Sequence, residues 1–174
     1  MKKHEFIAKV ISSVRDLSIA FGGYLVPDSV SEELCSETEI PEAKLACGVF
    51  RSKSWWQIQH ESLRAQYPSP MLLGPQAFSY FLPAFLVCLL EEFVFEEMSG
   101  VSFDSPLLDR LVVRLLEPRA RGRRVEDEIR VELYSDDQRK VLGSVLLMLS
   151  DLAFFDEPKL KARLDSLGEM LLAF

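Results

Sequence analysis

The run Gly74-Pro75-Gln76-Ala77-Phe78-Ser79-Tyr80-Phe81-Leu82-Pro83-Ala84-Phe85-Leu86-Val87-Cys88-Leu89-Leu90 decides the fold. From Ala77 to Leu90 its only polar interruptions are Ser79 and the Tyr80 hydroxyl. A helix that is apolar on every side belongs in the middle of a domain or in a membrane. The run is shorter than the about 20 apolar residues that a membrane crossing requires, and Glu91-Glu92 close it abruptly. It therefore reads as the central helix of a water-soluble domain. Gly74 is placed to act as N-cap, with Pro75 at the first helical position, where its missing N–H costs nothing. Gly100 supplies a natural stop. Pro83 falls well inside, where it removes a backbone donor and crowds the carbonyl of Ser79 at a cost of roughly 3 kcal/mol. Either the helix bends there or it is two shorter helices. The bend has two readings: it opens the freed carbonyl and the Tyr80 hydroxyl toward a ligand, or it wraps a long helix around its neighbours.

Outward from this run the chain reads as further amphipathic helices. Toward the N-terminus, Phe6, Ile7, Val10, Ile11, Val14, Leu17 and Phe21 recur at helical spacing up to Gly22-Gly23. Residues 28–42 form an acidic connection containing Asp28, Glu32, Glu33, Glu37, Glu39 and Glu42, expected to be exposed and fairly mobile, with Ser29 and Glu32 as a capping box for one or two turns of helix. Pro41 is placed to open a short helix carrying Leu45, Ala46, Val49 and Phe50. Ser54 with Gln57 makes a capping box, predicting a helix with Trp56, His60, Leu63 and Tyr67 along one face.

Beyond Gly100, Ser105-Pro106 opens a helix lined by Leu107, Leu108, Leu111, Val112, Leu115 and Leu116. A basic and then acidic loop spans 118–128. Ile129, Val131 and Leu133 alternate with charged residues, which allows one short hairpin at most. Ser135 with Gln138 is a further capping box, ahead of an apolar face from Val141 to Leu152. Pro158 opens a last helix with a seam of Leu160, Leu164, Leu167, Leu171 and Phe174. The fold class is thus mainly α: residues 1–174 form a single-domain helical bundle around a long Pro-kinked central helix.

Composition narrows the functional classes. The 174 residues are 48% hydrophobic and carry a net charge of −7. That charge disfavours long-range attraction to nucleic acid or an anionic membrane. Cys35, Cys47 and Cys88 are odd in number and widely spaced, as expected of free thiols in a reducing compartment, and the cytoplasm is the expected location. His4 and His60 are the only histidines. No Glu-x-x-His, His-Glu-x-x-His or paired Cys-x-x-Cys motif occurs, so no metal site, cofactor or catalytic residue is predicted. Phosphate-binding loops and the Gly-x-Ser-x-Gly elbow are missing as well. Glu91, Glu92, Glu96 and Glu97 are read as the solvated end of a buried helix rather than as ligands for a hard cation.

The remaining candidates fall into two groups. Glu32, Glu33, Glu37, Glu39, Trp55, Arg119, Arg121, Arg123 and Arg124 are the partner-binding set. Acidic patches speed association with basic partners, clustered arginines clamp carboxylates or phosphates, and Trp55 is taken as the more exposed ring of the Trp55-Trp56 pair. His60 and Tyr80 are the polar groups of a ligand pocket beside Pro83 under the alternative reading, an enzyme or small-molecule sensor.

Three pieces of the chain also resemble a largely bacterial family of proteins of unknown function. They are Phe50-Arg51-Ser52-Lys53-Ser54-Trp55, the run Leu73–Leu86 with its aromatic-aromatic-Leu-Pro-Ala motif, and Ser135-Asp136-Asp137-Gln138-Arg139 opening a leucine-rich helix. The resemblance spans roughly residues 45–174. It implies a helical fold organised on the Pro83 helix, and it carries no activity and no site residue. The function expected from the sequence is a cytosolic, non-catalytic protein-binding module, neutralising (immunity-like) or regulatory, with another, basic protein as partner.

Overall fold

A computed structural model describes residues 3–23, 25–36, 48–51, 53–58, 63, 70–100, 111, 114, 129–151 and 158–173. The α-helices whose bounds fall within them are α1 (Lys3–Ala20), α2 (Asp28–Ser36), α3 (Pro75–Ser99), α4 (Asp136–Asp151) and α5 (Pro158–Ala173). Short 3-10 turns occupy Trp55–Gln57, Pro70–Leu72 and Val131–Leu133. Among the described residues there is no strand. The protein is an all-α bundle built around α3.

α3 begins and ends where its sequence dictates. Gly74 is the N-cap in extended backbone, Pro75 is the first helical residue, and Gly100 closes the helix in the left-handed region at φ 68°. Its N–H reaches the Glu96 carbonyl at 2.9 Å. Pro83 does not split the helix, which runs unbroken for 25 residues. At that length it is long and apolar enough to cross a membrane, more so than the 77–90 run alone suggests. Here 78% of its most apolar 18-residue window is buried inside the protein, which is the environment of a core helix. Every residue from Ala77 to Leu86 is buried. Rings interlock around it: Phe50 lies 4.5 Å from Phe81 and 5.8 Å from Phe85, while Phe78 stacks at 6.1 Å on Phe85. Each such side chain, taken from water, contributes on the order of 1.5–3 kcal/mol.

α1 lies antiparallel to α3. Lys3 at its start donates to the Glu97 carbonyl near the end of α3, a cation at the negative end of the helix dipole. The far end of α1 reaches the aromatic cluster around the first turns of α3. α1 also touches α4, where the Ser13 hydroxyl lies 3.3 Å from the Met148 sulfur.

α4 and α5 form an antiparallel pair pressed together at two glycines. A Cβ at Gly143 would come within 2.9 Å of the Gly168 carbonyl oxygen, and one at Gly168 within 2.7 Å of Leu147 Cγ. Farther along, Ser150 bonds Asp165, and Lys161 reaches the Ser150 carbonyl and the Asp151 carboxylate, each at 3.3 Å.

Three sequence expectations are corrected. The alternation at 129–133 is not a strand. Val131–Leu133 form a 3-10 turn, with Ile129 and Tyr134 buried on either side of it. Over so few residues a turn produces the same in-out pattern as a strand. The Ser54 capping box opens a three-residue 3-10 turn that ends at Ile58 in extended backbone, so Trp56 does not begin an α-helical face. The acidic connection is α-helical for nine residues and packs on α3. The expected helix over 107–116 lies outside the described residues except for Leu111 and Arg114, and the basic and acidic loop of 118–128 lies wholly outside them.

Candidate functional site

Pro83 has no N–H to give to the Ser79 carbonyl four residues earlier, so that carbonyl needs another donor. Tyr134 supplies it: its hydroxyl donates to the Ser79 carbonyl oxygen at 2.6 Å. The Ser79 hydroxyl donates back to the Pro75 carbonyl at 2.7 Å and accepts the Arg130 N–H at 2.7 Å. The 129–134 segment is thereby tied to the proline step through both the backbone and the side chain of Ser79.

Tyr80 is fully buried. Burial pushes its phenol above the ordinary value of 10.0, opposed by hydrogen bonds to the Trp55 backbone and the Ser54 side chain. A phenol held neutral in this way is no base at neutral pH. Two groups beside the proline step, the Ser79 carbonyl and the hydroxyl of the pocket candidate Tyr80, are therefore engaged inside the protein. His60 lies outside the described residues.

Trp55 is not the exposed ring. It is 4% exposed, whereas Trp56 is 46% exposed. The Trp55 indole N–H donates to the Phe21 carbonyl at 2.9 Å, and Phe21 meets Trp55 and Tyr134 edge-on at 6.1 and 5.8 Å. Gln138 accepts the Ser135 N–H at 2.9 Å, completing the expected capping box. Its amide also donates to the Ala20 carbonyl at 3.2 Å. The carbonyls of Ala20, the last residue of α1, and of Phe21 just beyond it are thus met by two side chains distant in sequence. Trp55 fixes the helix end, and Trp56 stands edge-on to it at 6.2 Å, facing outward.

The acidic candidates part company. Glu32 is exposed. Glu33 is turned inward: its carboxylate accepts the Ala77 N–H at 2.6 Å and the Gln76 N–H at 3.4 Å. Those are free donors of the first turn of α3, and an acid there is favoured by the helix dipole. Glu33 is accordingly corrected from a partner-facing residue to a cap of the central helix. Glu37, Glu39, Arg119, Arg121, Arg123 and Arg124 lie outside the described residues. At the far end of α3, Glu91 is exposed but Glu92 is buried, so the expected solvated end is only partly so. Among the described residues no group of His, Cys, Asp and Glu could hold a metal ion.

Arg114 is a further buried charge that escaped the sequence reading. It is 4% exposed; it donates to the Pro70 carbonyl and, at 2.6 Å, to the Leu73 carbonyl, with its guanidinium 4.0 Å from the Phe78 ring centre. It holds the turn that leads into α3. The available clue was its position three residues after Leu111, on the apolar side of a leucine-rich stretch. No family model, curated protein or solved structure matches the chain.

Proposed function

We propose that the protein is a non-catalytic binding module of the cytoplasm that recognises another protein, of the neutralising (immunity-like) or regulatory kind. The observation that carries this reading is Trp56, a large ring nearly half exposed and backed by a buried tryptophan whose own N–H is fixed to Phe21. A rigid aromatic side chain at a surface loses little freedom on association, and tryptophan is enriched among the residues that dominate binding energy. The net charge of −7 and the exposed Asp28 and Glu32 favour a basic partner.

The alternative, a ligand pocket beside Pro83, has less support, because the Ser79 carbonyl and Tyr80 hydroxyl are bonded to Tyr134, Ser54 and Trp55. The resemblance to a bacterial family rests on its three short motifs, and it adds no partner.

Pull-downs from a lysate of the source cells at low and high salt test the reading, using the wild type, Trp56→Ala and Glu32→Lys. A partner retained by the wild type and lost in both folded variants supports it. Retention of no partner at either salt, or equal retention by all three proteins, contradicts it.

A further inference from the structure

We infer that α2 is a strap that opens from the central helix as a unit, with the Glu33 carboxylate as its catch. The starting point is a missing cap. Gly74 has no side chain to offer the first turn of α3, and Pro75 removes one of the donors that would need one. The next two, Gln76 N–H and Ala77 N–H, are met by Glu33 from a different helix. The glycine leaves room for this arrangement: a Cβ at position 74 would overlap the Glu33 carboxylate, which would have to swing away. Cap and catch are one contact.

α2 is short, and its described first two turns face largely outward. It is nine residues long, too short to persist as a helix in water without packing. Among its described side chains only Val30 is fully buried, while Asp28, Ser31 and Glu32 are exposed. Upstream, Gly23 takes the left-handed conformation at φ 77°, Leu25 is 77% exposed, and Val26 packs partly buried against the core. Short elements with few buried contacts open at lower free energy than the core, and they open cooperatively. Releasing Glu33 therefore lifts α2 and bares the first-turn amides of α3 together. This inference does not depend on the partner-binding reading.

Hydrogen exchange of the full-length chain, read by mass spectrometry with overlapping peptides, tests it. In the wild type, residues 28–36 exchange faster than α4. Glu33→Ala speeds residues 28–36 and the amides of Gln76 and Ala77 together, on the order of ten-fold, the size of a lost helix cap. α4 and α5 keep their protection. Gly74→Ala, which crowds the carboxylate out without removing it, gives the same pattern. Glu33→Gln, which retains one acceptor oxygen and the side-chain shape, gives a smaller change in the same direction. The inference is overturned if these variants leave residues 28–36 unchanged, or if exchange accelerates equally in every helix.

Discussion

The hydroxyl of Tyr134 donates, at 2.6 Å, to the Ser79 carbonyl, which is the carbonyl that Pro83 leaves without its helical N–H. Fifty-five residues separate the two partners in sequence. The relationship explains how a proline can sit in the buried stretch of an unbroken helix. A buried carbonyl without a donor costs about 1–3 kcal/mol, and a side chain from the segment before α4 removes that penalty. The same Ser79 anchors the Arg130 N–H, so the proline step also serves as the docking point for residues 129–134.

The two tryptophans should separate cleanly by stability. Trp55→Phe removes the N–H that donates to the buried Phe21 carbonyl, so it should lower stability by about 1–3 kcal/mol in urea unfolding. Trp56→Ala touches an exposed ring and should change stability far less. Equal losses in the two variants would mean that the burial contrast has no energetic weight.

Tyr80 sets an alkaline limit. Its folded pKa is raised by burial above the ordinary 10.0, so above that pH the unfolded chain releases the proton more readily than the folded one. Its contribution to stability is complete below pH 10 and is lost as pH rises through the folded pKa. Thermal unfolding between pH 8 and 11 should show a decline that is shallower in Tyr80→Phe. An identical decline in both proteins would remove Tyr80 as its source.

Gly143 and Gly168 let α4 and α5 approach closely. A methyl group at 143 meets the Gly168 carbonyl oxygen at 2.9 Å, and backbone cannot swing aside as a flexible side chain can. Gly143→Ala should therefore cost about 1–3 kcal/mol, although alanine favours a helix over glycine by up to about 1 kcal/mol. A stabilised Gly143→Ala protein in thermal unfolding would show that the two helices are free to separate.

Local rules were legible in the sequence, and distant pairings were not. The ends of α3 follow from Gly74-Pro75 and Gly100, and the Ser135/Gln138 capping box was readable because its residues are neighbours. The all-α bundle follows from an apolar run flanked by segments whose apolar residues recur at helical spacing. Glu33, Arg114 and Tyr134 were not legible as contacts, since each meets a group 41 to 55 residues away that no periodicity marks. Trp55 and Trp56 were assigned the wrong way round. Inside and outside were read from an α-helical start, and a 3-10 turn rotates successive side chains by a different angle. The alternation at 129–133 misled for a related reason: three residues of turn and three of strand share one in-out pattern.

A double-mutant cycle between Tyr134→Phe and Pro83→Ala, followed by urea unfolding, tests the central relationship most directly. Alanine in place of Pro83 restores an N–H that can serve the Ser79 carbonyl, so the Tyr134 hydroxyl loses its particular importance. Tyr134→Phe should cost about 1–3 kcal/mol with Pro83 in place and clearly less in the Pro83→Ala background. An equal cost in both backgrounds would contradict the account, because Tyr134 would then not be answering for the donor that Pro83 lacks.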